Sequence, residues 1–286
     1  MAEALTMDTP AAGARRLWRG LASSLRLSLT RLRRSPYLWS TIALASVPVL
    51  MAVLIVVVKR DAPGFRGDLA WVHSALEIFI RMLYLHFIIF FVANTFGFSV
   101  VRQELEERTL HYLILQPLPR WIMLLGKFLA YLILSTLICI ASLWITYFIL
   151  ALPCAGPRGV TADLFGQGRF VILARESLVL MLGLLVYGAV AMLAGSLFKA
   201  QLYMLFLWIW EGALPYLPST LKFWTLTHYL HSLLPEQLLE QKKLFELLGE
   251  PASAALSWGV LLGVALLTIA LAMVLFQSRE CLYGES

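Results

Sequence analysis

The sequence predicts an all-α membrane protein: six transmembrane helices, an N-terminal amphipathic interfacial helix, a helical segment between the second and third spans, and short outer helices before the last span. Three observations carry this. Of 286 residues, 60% are hydrophobic and 14% charged, and the mean hydropathy is +0.80, whereas a soluble domain carries about 25% charged residues. Six apolar runs approach the roughly 20 residues that cross a hydrocarbon core. No two-residue alternation persists through them, so a barrel of strands does not fit.

Taken in order, the N-terminal lead comes first. In RRLWRGLASSLRLSLTRLRRSPY, Leu17, Leu21, Leu25, Leu29 and Leu32 recur at nearly helical spacing, with arginines mostly on the flanks. That pattern describes a helix over 15–35 lying in the membrane interface until Pro36 breaks it. The first apolar run begins only near residue 37, after this basic lead. It spans a full bilayer, so it reads as a retained anchor and not as a secretory signal.

The spans are expected at 38–58, 78–101, 121–151, 171–198, 201–217 and 254–276. The fifth is the weakest in pattern: it is short, follows the fourth almost directly, and contains Glu211 and Pro215. Between the fifth and sixth lies 218–251, too polar to span yet helically patterned in EQLLEQKKLFELL, and it is expected to form short helices on the outer face. With six spans both termini share a side. That side carries thirteen of the 23 lysines and arginines, including seven arginines before the first span (Arg15, Arg16, Arg19, Arg26, Arg31, Arg33 and Arg34), and the whole net charge of +6. The basic lead places both termini in the cytoplasm. The positive charge is then topological and gives no reason to expect nucleic acid. Cys139, Cys154 and Cys281 lie far apart in sequence, and three free thiols are expected.

The stretch VRQELEERTLHYLILQPLPR, residues 101–120, interrupts the apolar chain on the cytoplasmic side. Glu104, Glu106 and Glu107 precede a leucine-rich piece, and Arg120 and Lys127 follow it, which suits a helix dipole. Leu105, Leu110, Leu113 and Leu115 supply an apolar side, and Pro117 and Pro119 end it. The run Glu104, Glu106, Glu107, Arg108, Thr109, Leu110, Leu113, Pro117, Arg120, Leu124, Gly126, Lys127 resembles the loop between the second and third spans of type-2 ATP-binding-cassette (ABC) transporter permeases. One departure is Arg108, where many members carry glycine before Thr-Leu. The resemblance extends over nearly the whole chain: the amphipathic lead, the spans and the outer helices.

The resemblance implies a single transmembrane permease domain over 1–286, working as a homodimer or with a related chain in a bacterial-type inner membrane. It implies a separate ATPase subunit that binds ATP and Mg, so no cofactor is expected in this chain. Residues 102–118 would be a coupling helix gripped by that ATPase, with Glu104, Glu106, Glu107 and Arg108 at the rim and Leu110 and Leu113 packed. The sequence itself lacks G-x-x-x-x-G-K-[ST], since Gly126-Lys127 is followed by Phe128.

Ionisable residues inside spans are costly and often functional. Glu77, Arg81 and His86 fall in the second span, Arg175 and Glu176 in the fourth, and Glu211 in the fifth. Glu77 and Arg81 are four apart and can pair. They and Arg175–Glu176 sit near the outer ends, where snorkelling lowers the cost. Glu211, His86 and Arg81 are the candidates for a translocation route. Gly183, Gly188 and Gly195, with Ala191, suit close helix packing in the fourth span. A membrane-embedded hydrolase or protease is the alternative, but H-E-x-x-H is absent, His228 and His231 lack an acidic partner, no G-x-S-x-G occurs, and Glu106–Glu107 lacks its arginine at His111 or Tyr112. An ion-coupled secondary transporter would want more spans or internal repeats.

Overall fold

A computed structural model describes residues 10–60, 68–99, 120–198, 207, 209, 211, 223–234 and 252–278. The described residues are helical, and five helices are long and apolar enough to cross a membrane. Of the expected fifth span, 201–217, only Leu207, Ile209 and Glu211 are described, each helical. The expected coupling segment 102–118 lies outside the described residues, as do 235–251.

Helix α1 (Pro10–Leu32) opens on proline, whose missing N–H costs nothing in a first turn, and ends with Arg31 in its last turn. It packs along α4 (Arg120–Thr161). The face that docks is not the leucine stripe. Gly20, Ser24 and Ser28, spaced four apart, are buried, whereas Leu17 and Leu27 are exposed and Leu21, Leu25 and Leu29 only half-buried. A Cβ on Gly126 would stand 2.5 Å from Ser24 Oγ, so α1 and α4 approach through small residues.

A turn made by Arg33 N–H to Leu29 O (3.1 Å), Arg34 N–H to Arg31 O (3.2 Å) and Ser35 N–H to Leu32 O (3.1 Å) leads into α2 (Pro36–Arg60). Ser35 Oγ caps it by accepting from Tyr37 N–H at 3.2 Å. Thr41, Ala45 and Ala52 face the bundle, while Leu50, Leu54, Val57 and Val58 stand exposed. Ser142 Oγ of α4 donates to Ala45 O at 2.5 Å.

Helix α3 (Leu69–Gly97) starts on Asp68, whose carboxylate accepts from Trp71 N–H at 3.0 Å. Residues 79–88 and 93–97 are wound as π-helix, a looser winding that elsewhere appears mostly as single turns at functional sites. α4 is interrupted at Gly156, whose φ of 67° and ψ of 174° suit glycine alone, between Pro153 and Pro157. The short helical piece beyond it, through the π turn Ala162–Gly166, turns Val160, Asp163 and Leu164 inward and Phe165 outward.

Helix α5 (Arg169–Leu197) is the most enclosed span, with 72% of its apolar window buried. Its glycines do what the sequence suggests. Gly183 faces Ile89 and Leu230, Gly195 lies against Phe98, and Gly188 lies beneath the Tyr131 ring, whose hydroxyl donates to Leu184 O at 3.1 Å. Short α6 (Leu226–Ser232) has Thr227 through His231 buried in succession. Helix α7 (Ala254–Ser278) packs on α5 and α6, with Leu262, Leu266, Leu267, Leu271 and Val274 left exposed.

Candidate functional site

α3 and α4 run in opposite directions, His73 standing by Asp163, Tyr84 by Ser142 and Phe96 by Tyr131, so the start of α3, the end of α4 and the start of α5 share one end of the bundle. At that end the sequence places unusually many ionisable groups, and the structure brings them together. Arg81 Nε donates to Glu77 Oε1 at 3.0 Å, one helical turn apart. Arg169 Nη2 stands 3.6 Å from Glu176 Oε1, with both side chains at least 95% buried. Asp163, fully buried, accepts from Tyr147 OH at 2.6 Å and lies 3.1 Å from His73 Nε2.

The first two pairs and His73 surround a cavity of about 10 Å³, lined also by Ile80 and Leu234. That volume suits one water. Glu176 Oε2 and Asp163 Oδ1 are buried without a hydrogen-bond partner among the described residues, and such atoms are costly unless satisfied. Two carboxylates and two guanidiniums line it (Glu77, Glu176, Arg81 and Arg169), with the Asp163–His73 contact beside them. Each ion remains expensive to bury alone.

The sequence expectation for these charges is corrected on one point. Arg81 and Glu176 do not snorkel but are buried, because the piece beyond Gly156 and the segment 223–234 cover that end of the bundle, whereas Arg175 is exposed and Glu77 half-buried. Adjacent residues on a helix point different ways, and Glu176 reaches along its own face. Its partner is Arg169 seven residues earlier, two turns up the same face, while Arg175 Nε donates to Leu233 O at 3.1 Å.

Glu211 is buried, and its role is legible in its contacts. Oε1 accepts from Leu226 N–H and Oε2 from Thr227 N–H, both at 3.1 Å, so one carboxylate caps the start of α6 from a distant part of the chain. Tyr187 OH and Thr227 Oγ1 lie 2.9 Å apart beside it. The His86 ring stands 6.0 Å from that of His231. Glu211, Arg81 and His86 thus lie along one polar side of the interior, Arg81 within the charged layer and the other two against α6. His231 lies outside the spans, and neither ring nitrogen has a hydrogen-bond partner among the described residues. Burial, reinforced by the positive field of Arg81 and by His86 and His228, holds it well below the ordinary histidine range.

Of the coupling residues, Glu104, Glu106, Glu107, Arg108, Thr109, Leu110, Leu113 and Pro117 lie outside the described residues, and Arg120 is described only as the first residue of α4. Sequence reasoning passed over His73, Asp163, Tyr147 and Arg169. Asp163 sits in TADLFGQGRF, which reads as an ordinary polar loop until the kink at Gly156 turns it inward. Among the described residues no group of three histidines, cysteines or carboxylates is placed to hold a metal, and Cys139 and Cys154 are free.

Long helices with exposed apolar surface and a layer of buried charge at one end describe a transport bundle more closely than a hydrolase. The family model for ABC-2 family transporter proteins matches residues 7–281. The chain belongs to that family. No curated protein matches the chain. As an ABC-2 permease it is a multi-pass membrane transport component and not itself catalytic.

Proposed function

We propose that this ABC-2 permease is the membrane half of an ATP-driven exporter, pairing with a second copy or a related chain and with two copies of a separate ATPase that binds ATP and Mg. Both termini lie in the cytoplasm of a bacterial-type inner membrane, and residues 102–118 form the coupling helix seated in the ATPase. The observation that carries this reading is the family match across 7–281, together with the acidic and leucine-rich motif between α3 and α4.

Closure of the ATPase pair on ATP would push the coupling helix, and with it the ends of α3 and α4 that it joins. A rigid link is needed for such a push to bias one arrangement of the bundle over another. Two features support transmission along these helices. The π-wound stretches of α3 offer a helix that can change register at modest cost. At the far end Asp163, just beyond α4, holds both His73 of α3 and Tyr147 of α4, so movement of α3 against α4 requires that contact to break.

The test is reconstitution with the ATP-hydrolysing subunit that co-purifies from membranes. The double variant Glu106→Ala/Glu107→Ala is expected to insert normally and to lose most of the permease-dependent stimulation of ATP hydrolysis. Unchanged stimulation would remove the docking assignment, and transport by the permease without any ATPase would remove the whole proposal.

A further inference from the structure

We propose that the cleft where α1 turns into α2, lined by Leu27, Thr30, Arg31, Arg33 and Arg34, binds the headgroup of an anionic phospholipid. The cleft measures about 620 Å³ and is open. Its three arginines are exposed, and the turn bonds of residues 33–35 fix the backbone that carries two of them. No Asp or Glu occurs between Asp8 and Asp61, and none of the ion pairs among the described residues involves these arginines. A concentration of guanidiniums without carboxylates from its own segment suits a phosphodiester, which takes paired N–H donors from a planar fork.

The depth of the site selects a lipid over a soluble phosphate. α2 begins at Pro36 and is itself a span, so the cleft lies where chain enters membrane. Trp39, 69% exposed one turn into α2, is the residue type that sits at the headgroup layer. Leu27, 61% exposed, gives the cleft an apolar wall beside its charges. The docking of α1 through Gly20, Ser24 and Ser28 holds this geometry against α4. The inference stands on α1 and α2 alone and does not depend on the exporter reading.

The test uses the full chain in a neutral detergent, offered equal phosphatidylglycerol and phosphatidylcholine, with retained lipid read by native mass spectrometry. Wild type is expected to keep phosphatidylglycerol selectively, and to keep less as salt rises. Each arginine near an anionic surface is worth roughly a fivefold change in affinity. The triple variant Arg31→Gln/Arg33→Gln/Arg34→Gln should therefore bind about a hundredfold more weakly. Arg33→Gln alone should show about a fivefold loss, and gives the reading if the triple variant fails to insert. Equal retention of both lipids by wild type, or undiminished phosphatidylglycerol in the variants, overturns the proposal. So does displacement by millimolar inorganic phosphate, which would make this a soluble-anion site. A rise in retention on Glu104→Gln/Glu106→Gln/Glu107→Gln would mean that the arginines serve those carboxylates instead.

Discussion

Helices α5 and α7 are both apolar enough to span a bilayer, yet 72% of the apolar window of α5 is buried and only 28% of that of α7. Lipid is as apolar as leucine, so hydrophobicity cannot sort helices into the centre or the rim of a bundle. What separates the two is what each offers a neighbour. Gly183, Gly188 and Gly195 of α5 each have a side chain or backbone within contact distance of where a Cβ would go, and Arg169 and Glu176 need a protein surround. Gly259 and Gly263 of α7 have nothing within 4 Å of that position. Close approach and charge placed α5 inside, and bulk apolar surface left α7 facing lipid.

The difference can be broken most severely at the charged end of α5. Glu176→Leu leaves Arg169 without its carboxylate in a closed site, and a loss of about 3 kcal/mol is expected. The thermal midpoint of the purified protein in detergent reads this, and Arg169→Leu/Glu176→Leu should recover most of it. A double variant as unstable as the single would show that the pair is not the source. Next in size is Gly188→Ala, which drives a methyl into the Tyr131 ring and should cost about 2 kcal/mol by overpacking. The same measurement decides it.

The third effect concerns α6, wedged between the two regions. His231 is buried with its protonation disfavoured, so below about pH 6.5 the unfolded chain takes up a proton that the folded chain rejects. Stability contributed by neutral His231 is thus present above that pH and lost as pH falls, by at most about 1.4 kcal/mol per pH unit. Melting profiles between pH 7.5 and 5.5 should fall for wild type and flatten for His231→Phe. An unchanged slope in the variant would assign the titration to another group. Smallest of all, Gly263→Ala on α7 should shift stability by no more than about 0.5 kcal/mol. A large loss there would mean that a partner covers this face.

Much of this was readable in the chain. Three of the five spans lie close to where the apolar runs put them, while the second begins earlier, at Leu69, and the third runs on to Gly166; the length of a bilayer crossing is written directly as a run of apolar residues. The α1 helix was visible in its leucine spacing, but its docking face was not. Leucine periodicity reports only a helix with an apolar side, whereas Gly20, Ser24 and Ser28 look unremarkable until α4 packs along them and Gly126 meets Ser24. Glu211 was noticed as a deep charge, yet its meaning depends on the N–H groups of residues fifteen and sixteen positions away.

The sequence by itself determined that this is a helical, multi-pass membrane protein and, through its motif between the second and third spans, its family. Composition and run length are local properties, and lipid imposes the same demand on every span. Which charge pairs with which, which helix is central and how Asp163 comes to face His73 were decided only by tertiary structure. Those outcomes rest on short-range contacts between residues up to 90 positions apart, and no local pattern encodes a distance of 3 Å across a bundle.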